Sequence, residues 1–338
     1  MGNVFKIQYA SKQTPLWCIT PVKRCIYWFT CLLLVISWLW LAGCAPPPER
    51  PPVSSARAPV LHVVGTFFPV ADIVRRVGGA HVTVQTLLPP GGDLHTFSPT
   101  ARQMKLLQGA DAVFRLGLDA EPFVETLLRG LGANRPRMIE LAEGCWTLPA
   151  EAEHAHEHHD AHEHHHGEAV DSHVWLSIRN AIRMVRNAQK ALTELDPLHA
   201  DAYQRNADRL VAELEELYAD LRTRAKTWRQ RKFLAAHGAY RYLAEEAGLE
   251  QVAVFEPLPG VEPSARWLRD VIRTARREKV RVIFAAPPAS PRLVEVVAAD
   301  MRMPVYLLDT LERPLNDGEQ SYVLRMKRNV ETLDTAMR

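Results

Sequence analysis

RVIFAAPPASPRLVEVVAADMRMPVYLLDT, residues 281–310, contains a strand–helix–strand unit. RVIFAA (281–286) and PVYLL (304–308) are short apolar runs with β-branched residues, and Pro291–Met301 between them reads as a helix. Two strands joined through a helix pair in parallel, because the crossover brings the chain back to run in the same direction. The same alternation extends outward. KFLAA (232–236) and QVAVF (251–255) read as earlier strands of this half, with helices over Glu262–Lys279 and from about Gly318 onward. The other half repeats the scheme with VLHVVGTF (60–67), VTVQTLL (82–88), DAVFRLG (111–117) and RMIEL (137–141). One helix there starts at Ser98-Pro99, a capping residue followed by proline, and another covers about Asp119–Leu131. This pattern predicts an α/β protein of two lobes, each a mainly parallel four-stranded sheet flanked by helices.

A long helical block separates the halves. Ser177–Leu195 is amphipathic and stops at Asp196-Pro197. Leu198–Trp228 then places Leu210, Leu214, Leu217 and Leu221 at helical spacing, without Gly or Pro. About 30 helical residues span about 45 Å, so one long rigid helix is expected to join the lobes. The expected division is 60–196 for the N-terminal lobe, 197–228 for the linking helix and 229–338 for the C-terminal lobe.

The start of the chain reads as targeting. Lys23-Arg24 precedes an apolar run from Cys25 to Ala42, the layout of a secretory signal. The run ends in Leu41-Ala42-Gly43-Cys44, which resembles the bacterial lipobox, so 1–43 is expected to be a lipoprotein signal and Cys44 the lipidated residue. A transmembrane helix is the alternative for so apolar a run. Residues 44–59, rich in proline, form a tether. The chain carries +2 overall, but the first 43 residues hold four basic groups and no acid, leaving a mature charge of −2. Nothing in that balance points to nucleic acid. Of five cysteines only Cys145 lies beyond Cys44, so the mature fold has no internal disulfide; Cys145 is expected to be a buried small hydrophobe.

Histidine carries the chemistry. Eight of the 14 lie in EAEHAHEHHDAHEHHHGE (151–168), interleaved with six acids: His154, His156, His158, His159, His162, His164, His165 and His166. No core can be built from such a segment, so a solvated loop is expected, and imidazoles mixed with carboxylates bind borderline metals such as zinc. His62, His81 and His199 read as structural or surface residues. The other three stand elsewhere. His95 lies in LLPPGGDLHTFSPT just past a strand, His237 closes FLAAHGAY directly after one, and His173 in DSHVWL follows the His-rich segment. Asp309 closes VYLLDT directly after the last strand. Ligands of open α/β sheets bind at the carboxyl ends of strands, so three imidazoles and a carboxylate, two from each half, could form a four-coordinate zinc site between lobes.

GGDLHTFSPT, DSHVWLS, AAHGAYRYLAEEAGL and LLDTLE, with VEPSARWL and VRVIFAAPPAS, resemble the cluster A-I solute-binding lipoproteins of metal ABC importers, in order over roughly residues 60–335. The resemblance implies two α/β lobes joined by one long helix, with one zinc or manganese ion between them. It carries the ligands onto His95, His173, His237 and Asp309, and residues 151–168 look like the His- and acid-rich loop of zinc-uptake members. Manganese-uptake members commonly have a carboxylate at the third position, so His237 favours Zn2+ over Mn2+. Ala286 stands where many relatives have an acid but removes no expected ligand. The implied partners are the metal ion, an ABC permease and, through the lipid, the membrane; a monomer is expected. A zinc hydrolase and a surface adhesion or metal-storage lipoprotein are the rival readings. The first would need an open metal position and a general base, and the second would make the His-rich loop the working part.

Overall fold

The computed structural model describes residues 60–132, 135–150, 169–256, 262–286, 290–313 and 321–338. The chain divides into Met1–Ala58 and Pro59–Arg338. The signal, Cys44 and tether of the sequence reading, and the eight histidines of 151–168, lie outside the described residues. Among the described residues no helix is long and apolar enough to cross a membrane.

Among the described residues eight strands form two sheets. β1 (Leu61–Gly65), β2 (Val82–Thr86), β3 (Ala112–Arg115) and β4 (Arg137–Glu140) are ordered β2-β1-β3-β4, with every pairing parallel. β5 (Lys232–Ala235), β6 (Glu250–Val254), β7 (Ile283–Ala285) and β8 (Val305–Leu307) repeat that topology as β6-β5-β7-β8, again all parallel. In both orders the chain moves outward one way and then the other from a central strand. That leaves a switch point beside β1 and beside β5, where crevices open at the strands' carboxyl ends.

The first half supplies α1 (Phe68–Gly78), α2 (Ala101–Gln108) and α3 (Pro122–Leu131). α4 (Ile178–Leu195) and α5 (Ala200–Ala225) follow, then α6 (Arg241–Ala247), α7 (Ala265–Arg277), α8 (Pro291–Met301) and α9 (Tyr322–Met337). Capping chemistry sets several starts. Ser177, Ser264, Ser290 and Ser321 each accept a backbone N–H of the first turn of α4, α7, α8 and α9. α2 begins two residues beyond Pro99, because Thr100 and Gln103 form a reciprocal capping box that fixes the start there.

The linking helix α5 is 26 residues, or about 39 Å of rise. It packs along α4, and α1 lies against both. Leu210, Leu214, Leu217 and Leu221 are buried, as their spacing requires. α9 crosses back from β8 to pack on α5 and α1. One apolar core therefore runs through both lobes, from Val63 and Phe114 past Trp175 and Leu214 to Phe233, Tyr240 and Tyr322. A smaller cluster of Leu234, Phe255, Val271, Ile283 and Val297 covers the other face of the second sheet. A close-packed core shared by both lobes resists sliding, so the joint is stiff.

Candidate metal centre

Four side chains converge between the sheets: His95, His173, His237 and Glu312. His95 sits in the segment after β2, and His237 lies two residues beyond β5. His173 precedes the single helical turn Val174–Leu176 that leads into α4, and Glu312 follows β8. Each sheet thus contributes the end of a strand. Glu312 Oε1 lies 3.8 Å from His95 Nε2, 3.9 Å from His173 Nε2 and 3.7 Å from His237 Nε2. All four ligand atoms fall within 4.8 Å of one another. A tetrahedral zinc shell, with ligands about 2.0–2.1 Å from the ion, has edges of roughly 3.3–3.4 Å. The carboxylate-to-imidazole edges would need to shrink by only about 0.4 Å to grip such an ion.

Three of the four residues present donor atoms with no other partner. Glu312 Oε1, His173 Nε2 and both ring nitrogens of His237 are buried without a hydrogen-bond partner. Buried polar atoms are left in that condition rarely, and a shared cation satisfies them together. Glu312 is 1% exposed. Burial opposes its charge, but His237 and His95 beside it outweigh that and hold its carboxyl well below the ordinary range. Burial likewise works against a charge on His95, yet Glu312, with Asp93 adding, raises its pKa above the usual imidazole value. His237 goes the other way, because its burial is deeper and pushes the pKa down, leaving a neutral donor. The His95 side chain is 30% exposed against 12% for His173 and His237, so the site opens to solvent on the His95 side.

The sequence reading put Asp309 in the carboxylate position, and the structure gives that place to Glu312. Asp309 faces away and is clamped by Arg325, whose Nε donates to Oδ2 at 2.6 Å and whose Nη2 donates to Oδ1 at 2.7 Å. Asn329 holds the Asp309 backbone from both sides, its Oδ1 accepting the N–H and its Nδ2 donating to the C=O, each at 2.8 Å. Asp309 Oδ1 also accepts Leu311 N–H at 2.8 Å. Leu311 then takes a left-handed conformation, φ 59°, which turns the next residue inward. A β-branch-free but bulky residue held there costs roughly 1–2 kcal/mol, and such strain collects at binding sites. Trp175 Nε1 donates to Thr310 O at 2.8 Å and Tyr240 OH to Leu308 O at 2.6 Å, so the whole segment is tied down.

Asp171 was not singled out from sequence, although its place two residues before His173 was a usable signal. Its Oδ1 lies 2.7 Å from His173 Nδ1 and accepts His173 N–H at 3.0 Å. Donation from Nδ1 fixes the tautomer whose Nε2 lone pair faces the cluster, as outer carboxylates do in histidine metal sites. Burial opposes the charge of Asp171, but His173 more than compensates and lowers its pKa.

Among the described residues, His81, His199 and Cys145 of the sequence reading stand apart from the centre. His81 and His199 stack with ring centroids 3.8 Å apart, and Asp196 Oδ2 sits 2.6 Å from His199 Nδ1. Cys145 is half-buried, and burial pushes its thiol up to about 12 despite the opposing pull of Arg183. Pro149 and Val170, on either side of residues 151–168 in sequence, form an antiparallel bridge. Tyr242 fastens this base, accepting Leu148 N–H and donating to Asp171 O. Val170 immediately precedes the Asp171–His173 arm of the centre.

Two parallel α/β lobes on a stiff linking helix, with an imidazole–carboxylate cluster between them, define a metal-binding solute-binding protein. Comparison with known proteins agrees. The family model for the periplasmic component A of the zinc-uptake complex (ZnuA) matches residues 63–336, and the chain belongs to that family. A Treponema pallidum protein is 32% identical over 273 residues, which is 81% of this chain and 86% of that protein. The high-affinity zinc uptake system protein ZnuA of Bacillus subtilis is 28% identical over 313 residues, covering 92% and 98%. Among solved structures, the Zn(II)-bound ZnuA-like domain of Streptococcus pneumoniae AdcA aligns over 82% of this chain and 99% of its own, with TM-score 0.69 and 25% identity. FpvC of Pseudomonas aeruginosa in complex with Mn2+ covers 82% and 98%, with TM-score 0.72 and 28% identity. The chain is accordingly a metal-binding protein of an extracytoplasmic solute-binding family.

Proposed function

We propose that this protein captures Zn2+ between its lobes and delivers it to an ABC permease for import. The observation that carries the reading is the convergence of His95, His173, His237 and Glu312, where the facing atoms of His173, His237 and Glu312 are buried without partners. Three imidazole nitrogens and one carboxylate oxygen suit a borderline cation in tetrahedral geometry, whereas a hard Mn2+ prefers more oxygen. Neither lobe supplies a full shell, so the ion itself joins them. The zinc-uptake function of the family and the Zn(II)-bound streptococcal relative agree with this choice. The likeness to FpvC with Mn2+ keeps manganese as the second reading.

The rest of the cycle follows from the layout. Lipidation at Cys44 would hold the body outside the membrane by its 44–59 tether, with 60–196, 197–228 and 229–338 as lobe, linking helix and lobe. The histidines of 151–168 would collect metal weakly and raise its concentration beside the Asp171–His173 arm. Entry would be on the His95 side, the most exposed ligand. A hydrolytic role is disfavoured because Glu312 occupies the position that a catalytic zinc leaves to water. The test is X-ray absorption at the metal edge of protein loaded from an equimolar zinc and manganese mixture. Zinc with three nitrogens and one oxygen near 2.0 Å is expected; manganese, or a shell dominated by oxygen, would overturn the assignment.

A further inference from the structure

The His95 segment and the Glu312 segment come from opposite lobes, and among the described residues one hydrogen-bonded contact joins them. Arg313 Nη2 donates to Asp93 Oδ2 at 2.9 Å. Each partner stands next to the cluster: Arg313 follows Glu312, and Asp93 lies two residues before His95. The two oxygens of Asp93 have separate duties. Oδ1 accepts the N–H groups of His95 and Thr96 at 3.0 and 3.1 Å and the Thr96 hydroxyl at 3.2 Å, which shapes the His95 segment, while Oδ2 reaches across to the other lobe. Arg313 is anchored from behind, because Arg325 Nη1 donates to its carbonyl at 2.6 Å. The same Arg325 guanidinium binds Asp309 and lies 4.4 Å over the Phe68 ring on α1. The chain of contacts therefore runs from α1 and α9 through the Glu312 turn to the His95 segment.

We propose that the Asp93–Arg313 pair is a latch across the cleft that sets how long the captured ion stays. The inference rests on the cleft being the metal site. Its side chains are 13% and 24% exposed, so solvent screens the pair only in part. A bond between charged groups at this depth is strong enough to slow opening, yet reachable enough to be broken. The latch spans the most exposed ligand, His95, at the side where the cluster opens to solvent. When it opens, His95 swings away from His173, His237 and Glu312, and the ion loses one donor before the others let go. Arg313 therefore acts as a positioning residue, through His95 and not on the metal.

The experiment is stopped-flow release of zinc from the loaded protein into excess chelator, comparing the parent with Arg313→Met and Arg313→Lys. Arg313→Met is expected to bind one tight ion with an unchanged association rate and to release it roughly tenfold faster or more, the worth of a charged hydrogen bond. Arg313→Lys, which keeps the charge without the planar fork, is expected to fall between. Parent release should also quicken with salt, and that dependence should be lost in Arg313→Met. Should Arg313→Met fail to fold, the Lys variant and the salt series on the parent decide alone. Equal release rates in parent and folded variants, or salt-independent release by the parent, would overturn the latch. A parent that binds no ion tightly would overturn the cleft reading itself.

Discussion

Replacing Glu312 by Gln and, separately, Asp309 by Asn sets the two candidate carboxylates against each other. Four-ligand zinc sites are worth about 10–16 kcal/mol of binding, so an equal share is about 2.5–4 kcal/mol per ligand. Glu312→Gln keeps the shape but replaces an anionic donor with a weak neutral one, and a loss of about two to three decades in zinc affinity is expected. Asp309→Asn touches no donor atom. It keeps Oδ1, which accepts Leu311 N–H and Arg325 Nη2, and turns Oδ2 into an N–H group aimed at Arg325 Nε. That donor-to-donor conflict against a 2% exposed arginine costs about 1–3 kcal/mol of folding stability. Zinc affinity should stay within about tenfold. The assays are chelator-competition titration for affinity and thermal unfolding of the metal-free protein for stability. An Asp309→Asn protein that loses two decades of affinity while Glu312→Gln binds normally would refute the geometry.

Four other outcomes are expected. Asp171→Asn weakens zinc binding by about 10–100-fold, because an amide holds the His173 tautomer less firmly; calorimetric titration reads it. Glu312 raises the pKa of His95, so protons compete for that ligand from above the ordinary imidazole range. Affinity therefore falls as pH drops, beginning above pH about 6.5 and becoming severe by pH about 5, whereas an affinity equal at pH 5 and pH 7.5 would exclude the imidazole shell. Glu246→Ala unfolds at lower temperature, by a loss of about 3 kcal/mol or more, since Ser177 OH and the Ile178 and Arg179 N–H groups all donate to that one carboxylate. Deleting 151–168 leaves one tight zinc site and removes only weak ones in equilibrium dialysis.

What could be read from sequence, and what could not, divides along physical lines. The strands were legible because a parallel sheet covered on both faces needs short continuous apolar runs, and VVG, AVF, FLA and IFA are such runs. The helix ranges read as Ser177–Leu195 and Pro291–Met301 match α4 and α8 to within a residue, and Ser177 and Ser290 cap their starts. The start of α2 was misjudged because Thr100, with Gln103 three residues on, outcompetes Ser98 through a two-way hydrogen bond. The three histidines were legible because each ends a strand or follows a Gly- or Asp-marked turn. Glu312 was hidden. Choosing it over Asp309 requires knowing that Arg325, sixteen residues later on a separate helix, takes Asp309 out of play. It also requires the left-handed turn at Leu311, a residue type that gives no warning of one. The Asp93–Arg313 pair, 220 residues apart, could emerge only from the folded chain.

The most direct test of the account is calorimetric titration of zinc and manganese into residues 45–338, beside the triple change His95→Ala, His173→Ala, His237→Ala. The account expects the parent to bind one zinc ion tightly, with weaker sites above it, and the triple variant to lose only the tight one. A triple variant that keeps its tight zinc ion would contradict the cleft assignment and transfer the function to the histidines of 151–168.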